Sequence, residues 1–266
     1  MTNLFSLEGK TIVFTGGAGN LGRTMVKALL EYGANVSVPD IADRFDESFD
    51  EYKKNGKLLF VETDLSKTES IKNCFKTVYE KYGAINVLVN CAAYGGGAGG
   101  KGAEHRIDFI EDSLWEGGID GTLNVSFRCM REVLPYFDKA GGGNIINFGS
   151  MYGLSAPDLT IYEGKGVPSP PFYGAGKAGL IQLTRYAASA LAERNIRVNS
   201  LSPGPFPNIT PATDMEFIGR LSNKTMLKRT GKPEELNGAI VFLCSDASSY
   251  MTGENITIDG GMTHFV

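Results

Sequence analysis

The chain has 266 residues, 42% of them hydrophobic and 21% charged, with a formal net charge of -4 and an isoelectric point near 5.4. That size suits one α/β domain able to bury a parallel sheet between helical layers, and the mild acidity without a basic cluster argues against a nucleic-acid partner. Four cysteines without CxxC spacing and two distant histidines, His105 and His264, argue for reduced thiols and against a metal site.

Strand and helix signals alternate along the chain. Residues 10–15 (KTIVFT) form a β-rich run, and 21–32 (LGRTMVKALLEY) repeat apolar residues at helical spacing, with Gly33 placed to end the helix. Strands are predicted at 35–38, 57–62 and 85–90, with a helix over 66–82 that Gly83 ends. A glycine-rich stretch, 95–102, reads as a loop. A helix follows over about 113–137, then a strand at 144–148, a long helix over 173–193 and a strand at 197–201. Four prolines make 203–211 irregular. A helix over 232–243 with Pro233 in its first turn and a last strand at 255–258 complete the series. The alternation, with no repeat or composition break, predicts a single Rossmann-type, doubly wound α/β domain over 1–266, with about seven parallel strands and helices on both faces. No stretch reaches the roughly 20 apolar residues of a membrane span, and the N-terminus has no leader pattern, so a cytoplasmic protein without a membrane partner is expected.

The turn 15–22 (TGGAGNLG) joins the first strand to the first helix. Glycines there let the backbone approach a pyrophosphate, and the helix N-terminus turns N–H groups and a positive dipole end toward it. Gly16, Gly19, Asn20, Leu21 and Gly22 are the candidate contacts. Asp40 lies at the end of the second strand, where a carboxylate can accept hydrogen bonds from both adenosine ribose hydroxyls and repel a 2′-phosphate. NAD is therefore expected over NADP, with Arg23 and Arg44 as the residues able to reverse that preference.

Further landmarks appear in order: Asp64-Leu65 after the third strand, Asn90-Cys91-Ala92-Ala93 after the fourth, Ser150 after the fifth, Tyr173-Gly174-Ala175-Gly176-Lys177, Pro203-Gly204 after the sixth, and GENITIDGG at 253–261. Together they resemble the short-chain dehydrogenase/reductase family over essentially the whole chain. The resemblance implies that Asp64, with Leu65, holds the adenine. It also implies cofactor contacts from Asn90, Ala92, Pro203, Gly204 and Phe206. Tyr173 would be the general acid/base. Lys177 would lower its pKa and bind the nicotinamide ribose, and Ser150 would orient the substrate oxygen. The resemblance also implies a homodimer or homotetramer built through the helices near 113–137 and 173–193. Three departures stand out. Asn20 takes a glycine's place, where its tolerance of positive φ would preserve the turn. NNAG has become NCAA. The family's fourth catalytic residue, an asparagine, falls on Thr122, or on Asn124 two residues later.

Three segments are expected to line the substrate pocket: 94–106, the stretch between Ser150 and Tyr173, and 205–218. The second is longer than is usual in the family and carries Tyr152, Asp158, Tyr162, Glu163 and Lys165. Its composition suits a hydroxyl-rich ligand, and its run MYGLSAPDLTIYEG resembles family members linked to surface-polysaccharide and flagellin sugar modification. The leading expectation is an NAD-dependent oxidoreductase acting on a secondary alcohol or ketone, such as a sugar or sugar derivative. The alternatives are a 3-oxoacyl-thioester (acyl carrier protein) reductase and a non-catalytic dinucleotide sensor.

Overall fold

The computed structural model describes residues 3–94, 107–163 and 168–264. The glycine-rich stretch expected to line the pocket, with His105, and Lys165 of the long segment lie outside the described residues.

Seven parallel strands form one sheet: β1 (Thr11–Thr15), β2 (Asn35–Asp40), β3 (Leu58–Glu62), β4 (Val87–Asn90), β5 (Gly143–Phe148), β6 (Ile196–Pro203) and β7 (Asn255–Ile258). Their order is β3-β2-β1-β4-β5-β6-β7. The chain builds outward from β1 to β3, then returns to place β4 on the other side of β1. The reversal opens a crevice between the carboxyl ends of β1 and β4, the usual ligand position in such a sheet.

The central strands are apolar on both faces because both are covered. Ile12, Phe14, Val87, Val89, Ile146 and Phe148 pack into one core cluster with helices α1 (Asn20–Glu31) and α8 (Asn237–Cys244). Val13, Leu88 and Ile145, one residue out of step, pack into a second with α3 (Thr68–Tyr82), α5 (Val125–Ala140) and α6 (Pro171–Leu191). Each fully buried aliphatic side chain stabilises the fold by about 1.5–3 kcal/mol. A one-residue slip would exchange the side chains facing the two clusters.

Helix ends follow the sequence signals. Gly33 (φ 100°) follows α1, Gly83 (φ 78°) ends α3, and Pro171 opens α6, two residues earlier than expected. The helix expected over 113–137 is instead three pieces: α4 (Asp112–Ile119), a π turn (Asp120–Asn124) and α5. The predicted 232–243 helix begins as a 3-10 turn over Pro233–Leu236 before α8. Two α-helices were not anticipated: α2 (Asp50–Lys54), which a 3-10 turn runs into, and α7 (Met215–Asn223), which Asp214 caps by accepting from the backbone N–H groups of Glu216 and Phe217.

Candidate active site

The wall of the crevice is made by backbone approaching backbone. Gly16 adopts φ 68°, and a Cβ there would stand 2.8 Å from the Cα of Ala92; a Cβ on Gly22 would stand 2.6 Å from the carbonyl oxygen of Gly16. Neither position accepts a side chain without moving main chain. Gly19 is the N-cap of α1, and Asn20 and Leu21 open its first turn, whose N–H groups have no partner within the helix. Asn20 takes ordinary helical geometry, and the positive φ falls on Gly16 instead. The expectation that Asn20 preserves the turn through a left-handed conformation is thereby corrected. Thr15, singled out in the sequence only as part of the turn, closes the crevice floor. Its Oγ1 accepts from the N–H groups of Cys91 (3.1 Å) and Ala92 (3.2 Å) and donates to the Val89 carbonyl. Nothing in the sequence pairs Thr15 with β4; only the strand order does.

Asp40 ends β2 with its side chain 11% exposed. It accepts from the Ile41 N–H at 2.8 Å, and the Arg44 guanidinium lies 3.8 Å away. Arg23 reaches the same corner and donates to the Arg44 carbonyl. Asp64 follows β3, where Ser66 and Lys67 donate to its carboxylate and hold it at about 2; Leu65 beside it is buried. Asn90 faces inward, donating to Asn147, which donates to Thr184. Pro203 ends β6, and the Gly204 N–H donates to the Ile258 carbonyl. The Phe206 ring packs on Gly231 and the core cluster of α1 and α8.

Ser150 leaves β5 in extended conformation, and its Oγ accepts from the Tyr152 N–H at 3.2 Å. Tyr173 sits in the first turn of α6, close enough to Ser150 for the serine hydroxyl to lower its pKa. Lys177, one turn on, is buried. Its Nζ stands 5.8 Å from the Tyr173 ring centroid and donates to the Phe148 carbonyl at 2.6 Å. Burial pulls the ammonium down to about 8. Burial also pushes the Tyr173 phenol up, and the bond from Ser150 draws it part of the way back. In the protein alone, then, burial leaves the phenol above its ordinary value. The Cys91 thiol lies within electrostatic reach of both groups and is raised by burial to about 12, so it is a poor nucleophile there.

The family model for enoyl-(acyl carrier protein) reductases matches residues 16–263. The chain belongs to the short-chain dehydrogenase/reductase family. Its 3-oxoacyl-[acyl-carrier-protein] reductase relative from Thermotoga maritima is 35% identical, with 96% of this chain and 98% of that one covered. The fold is shared with an NAD+-bound short-chain dehydrogenase from Leptospira borgpetersenii (31% identity, TM-score 0.85, 99% and 96% covered). It is shared also with a gluconate 5-dehydrogenase from Burkholderia cenocepacia in complex with NADP and tartrate (26% identity, TM-score 0.85, 99% of both covered). The chain is thus an oxidoreductase of this family, with a site of the kind that takes a nicotinamide dinucleotide.

Thr122 and Asn124 both lie in the π turn but face different ways. Thr122 is buried facing α6, where its Oγ1 occupies the space a Cβ on Gly176 would need, and it donates to the Gly118 carbonyl at 2.7 Å. Asn124 is exposed and donates to Asp120. Thr122 therefore adjoins the helix of Tyr173 and Lys177, and Asn124 does not.

The long segment after Ser150 docks on α7. Ile161 packs with Ile218 and Leu221, and the Tyr162 and Phe217 rings lie 5.4 Å apart. Lys224 pairs with Asp158, and Arg220 donates to the Glu163 carbonyl. Asp158 caps its own turn through Thr160 and anchors the segment to Lys224. Tyr152 and Tyr162 stand hydroxyl to hydroxyl at 3.0 Å.

Proposed function

We propose that this dehydrogenase uses NAD to oxidise a secondary alcohol, or reduce the matching ketone, on a sugar or sugar derivative. The observation that carries the reading is the buried Lys177 ammonium one turn along α6 from Tyr173, 5.8 Å from its ring and anchored on the Phe148 carbonyl at the end of β5, two residues before Ser150. It stands beside a crevice that excludes side chains at Gly16 and Gly22.

The residues fit a dinucleotide. The first turn of α1, from Gly19 through Asn20, Leu21 and Gly22, offers N–H groups to a pyrophosphate. Asp40 accepts from the adenosine ribose hydroxyls, and its charge favours NAD over NADP; its Arg44 neighbour moderates that preference. Asp64 and Leu65 border the adenine, and Asn90 and Ala92 form the crevice floor. Pro203, Gly204 and Phe206 border the nicotinamide end. Bound there, the nicotinamide supplies or takes up the hydride.

The chain's own residues handle the proton. Tyr173 takes the alcohol proton during oxidation and returns it during reduction. Ser150 donates to the substrate oxygen and holds it against the Tyr173 hydroxyl. Lys177 favours the phenolate and binds the nicotinamide ribose. Thr122 supports the packing of α6 from its buried position beside Gly176. Two or four copies assemble through α4, α5 and α6.

The polar and aromatic surface between Ser150 and α7 supports a hydroxylated substrate, of the class used in surface-polysaccharide and flagellin modification. The Thermotoga maritima relative favours a second reading, a 3-oxoacyl-thioester reductase. Fluorescence titration with NADH and NADPH, followed by turnover on polyols, sugars and 3-oxoacyl thioesters, separates the two. The expected result is tighter NADH binding and polyol or sugar turnover, with Tyr173→Phe losing about 10²–10⁴-fold in kcat while retaining NADH binding. Thioester reduction with NADPH alone would establish the second reading. Dinucleotide binding without turnover of any substrate, unaffected by Tyr173→Phe, would replace both with a sensor.

A further inference from the structure

We propose that the hydroxyls of Tyr152 and Tyr162 form a recognition subsite for a substrate hydroxyl on a carbon next to the reacting one. The inference rests on the reading above that the substrate is polyhydroxylated, and it assigns specificity to two residues.

Tyr152 is tied to the reacting groups through its main chain. Its N–H donates to the Ser150 Oγ, and its carbonyl lies where a Cβ on Gly174, the neighbour of Tyr173, would come within 2.9 Å. The residue is 7% exposed, and its pKa is raised first by burial, then by the Tyr162 hydroxyl and the charge of Tyr173. Tyr162 approaches from the other side, held against Phe217 of α7, and meets the Tyr152 hydroxyl at 3.0 Å. Tyr152 thus links two places: its main chain adjoins Ser150 and Gly174, and its hydroxyl meets Tyr162 at the wall made by the long segment and α7.

The chemistry of the pair selects its ligand. Two hydroxyls carry two protons, one of which lies between them. The pair therefore keeps one proton to donate and lone pairs to accept. A substrate hydroxyl serves both roles. An alkyl or acyl chain serves neither and would strip water from a buried polar pair without replacing it, a loss that sites built for a hydroxyl turn into strong discrimination.

The test compares butane-2,3-diol with butan-2-ol as oxidation substrates of the full-length enzyme and of Tyr162→Phe, which keeps the ring on Phe217 and removes only the oxygen. The wild type should favour the diol by at least about tenfold in kcat/KM. Tyr162→Phe should lose about tenfold on the diol, chiefly through KM, and stay within about twofold on the mono-ol, with NADH binding unchanged. Tyr152→Phe should erase the same preference. An unaltered diol preference in both variants would overturn the subsite while leaving the polyol reading intact. Equal losses on both alcohols would make the pair a structural support and overturn the subsite as well. Turnover of neither alcohol together with rapid reduction of a 3-oxoacyl thioester would remove the polyol reading and this inference with it.

Discussion

Burial and hydrogen bonding pull the Tyr173 phenol in opposite directions, and that contest governs how the site should respond to pH. Burial raises it; the bond from Ser150 lowers it. Alcohol oxidation requires the phenolate, so kcat/KM for oxidation should climb as pH rises, and ketone reduction, which requires the phenol, should fall over the same range. In Ser150→Ala the lowering bond is gone and the phenol rises further. The ascending limb of the oxidation profile should then move to higher pH by about half to one unit, on top of a fall of about 10²–10³-fold in the plateau from the lost substrate contact. A limb that stays in place, or moves to lower pH, would mean that Ser150 does not set the acidity of Tyr173. Ser150, Tyr173, Lys177 and Asp40 could be picked out in the sequence because each lies at a fixed offset from a strand end or within one helix. The roles of Thr15 and Asp158 could not. Thr15 works through β4 and Asp158 through Lys224, partners far along the chain that only the folded arrangement brings near.

At the scale of elements, the strand–turn–helix unit of β1 and α1 should be the least tolerant of change. A Cβ on Gly22 would stand 2.6 Å from the Gly16 oxygen and 2.7 Å from the Gly17 Cα, with backbone on every side and no flexible side chain to yield. Gly22→Ala should destabilise the fold by about 1–3 kcal/mol and weaken dinucleotide binding more than that loss explains, because α1 must back away from the turn whose N–H groups bind the pyrophosphate. Urea unfolding and NADH titration of the same preparation measure the two effects; an unaltered affinity would show that the crevice does not depend on this approach. All seven strands could be read from runs of β-branched and apolar residues because a sheet covered on both faces needs them. The π turn could not. It adds one residue to the turn at Asp120–Asn124, between two stretches with ordinary helical composition. The short helix α7 was hidden for a different reason: nine residues behind a proline-rich stretch carry too little periodicity, and its apolar face is completed by Ile161 from another segment.

Across the whole molecule, the helices that cover one face of the sheet leave bulky side chains on their outer surface. Trp115 of α4, Phe127 of α5 and Tyr186 of α6 are 41%, 46% and 71% exposed, while the opposite sides of α5 and α6 are buried in the core cluster of that face. Aromatic residues contribute much of the stability of interfaces when covered, and a monomer gains nothing by leaving three of them in water. Assembly of two or four copies through this surface should therefore give a sedimentation mass of at least twice the 28.6 kDa of one chain. Replacing both Phe127 and Tyr186 with Glu buries two charges in such an interface without touching the core. The double variant should sediment as a monomer with an unchanged circular dichroism spectrum. Its dinucleotide affinity should hold, because the crevice at β1 and β4 is built from one chain alone. A wild-type chain that sediments as a monomer at micromolar concentration would refute the assembly, and a double variant that keeps the wild-type mass would move the interface to another surface.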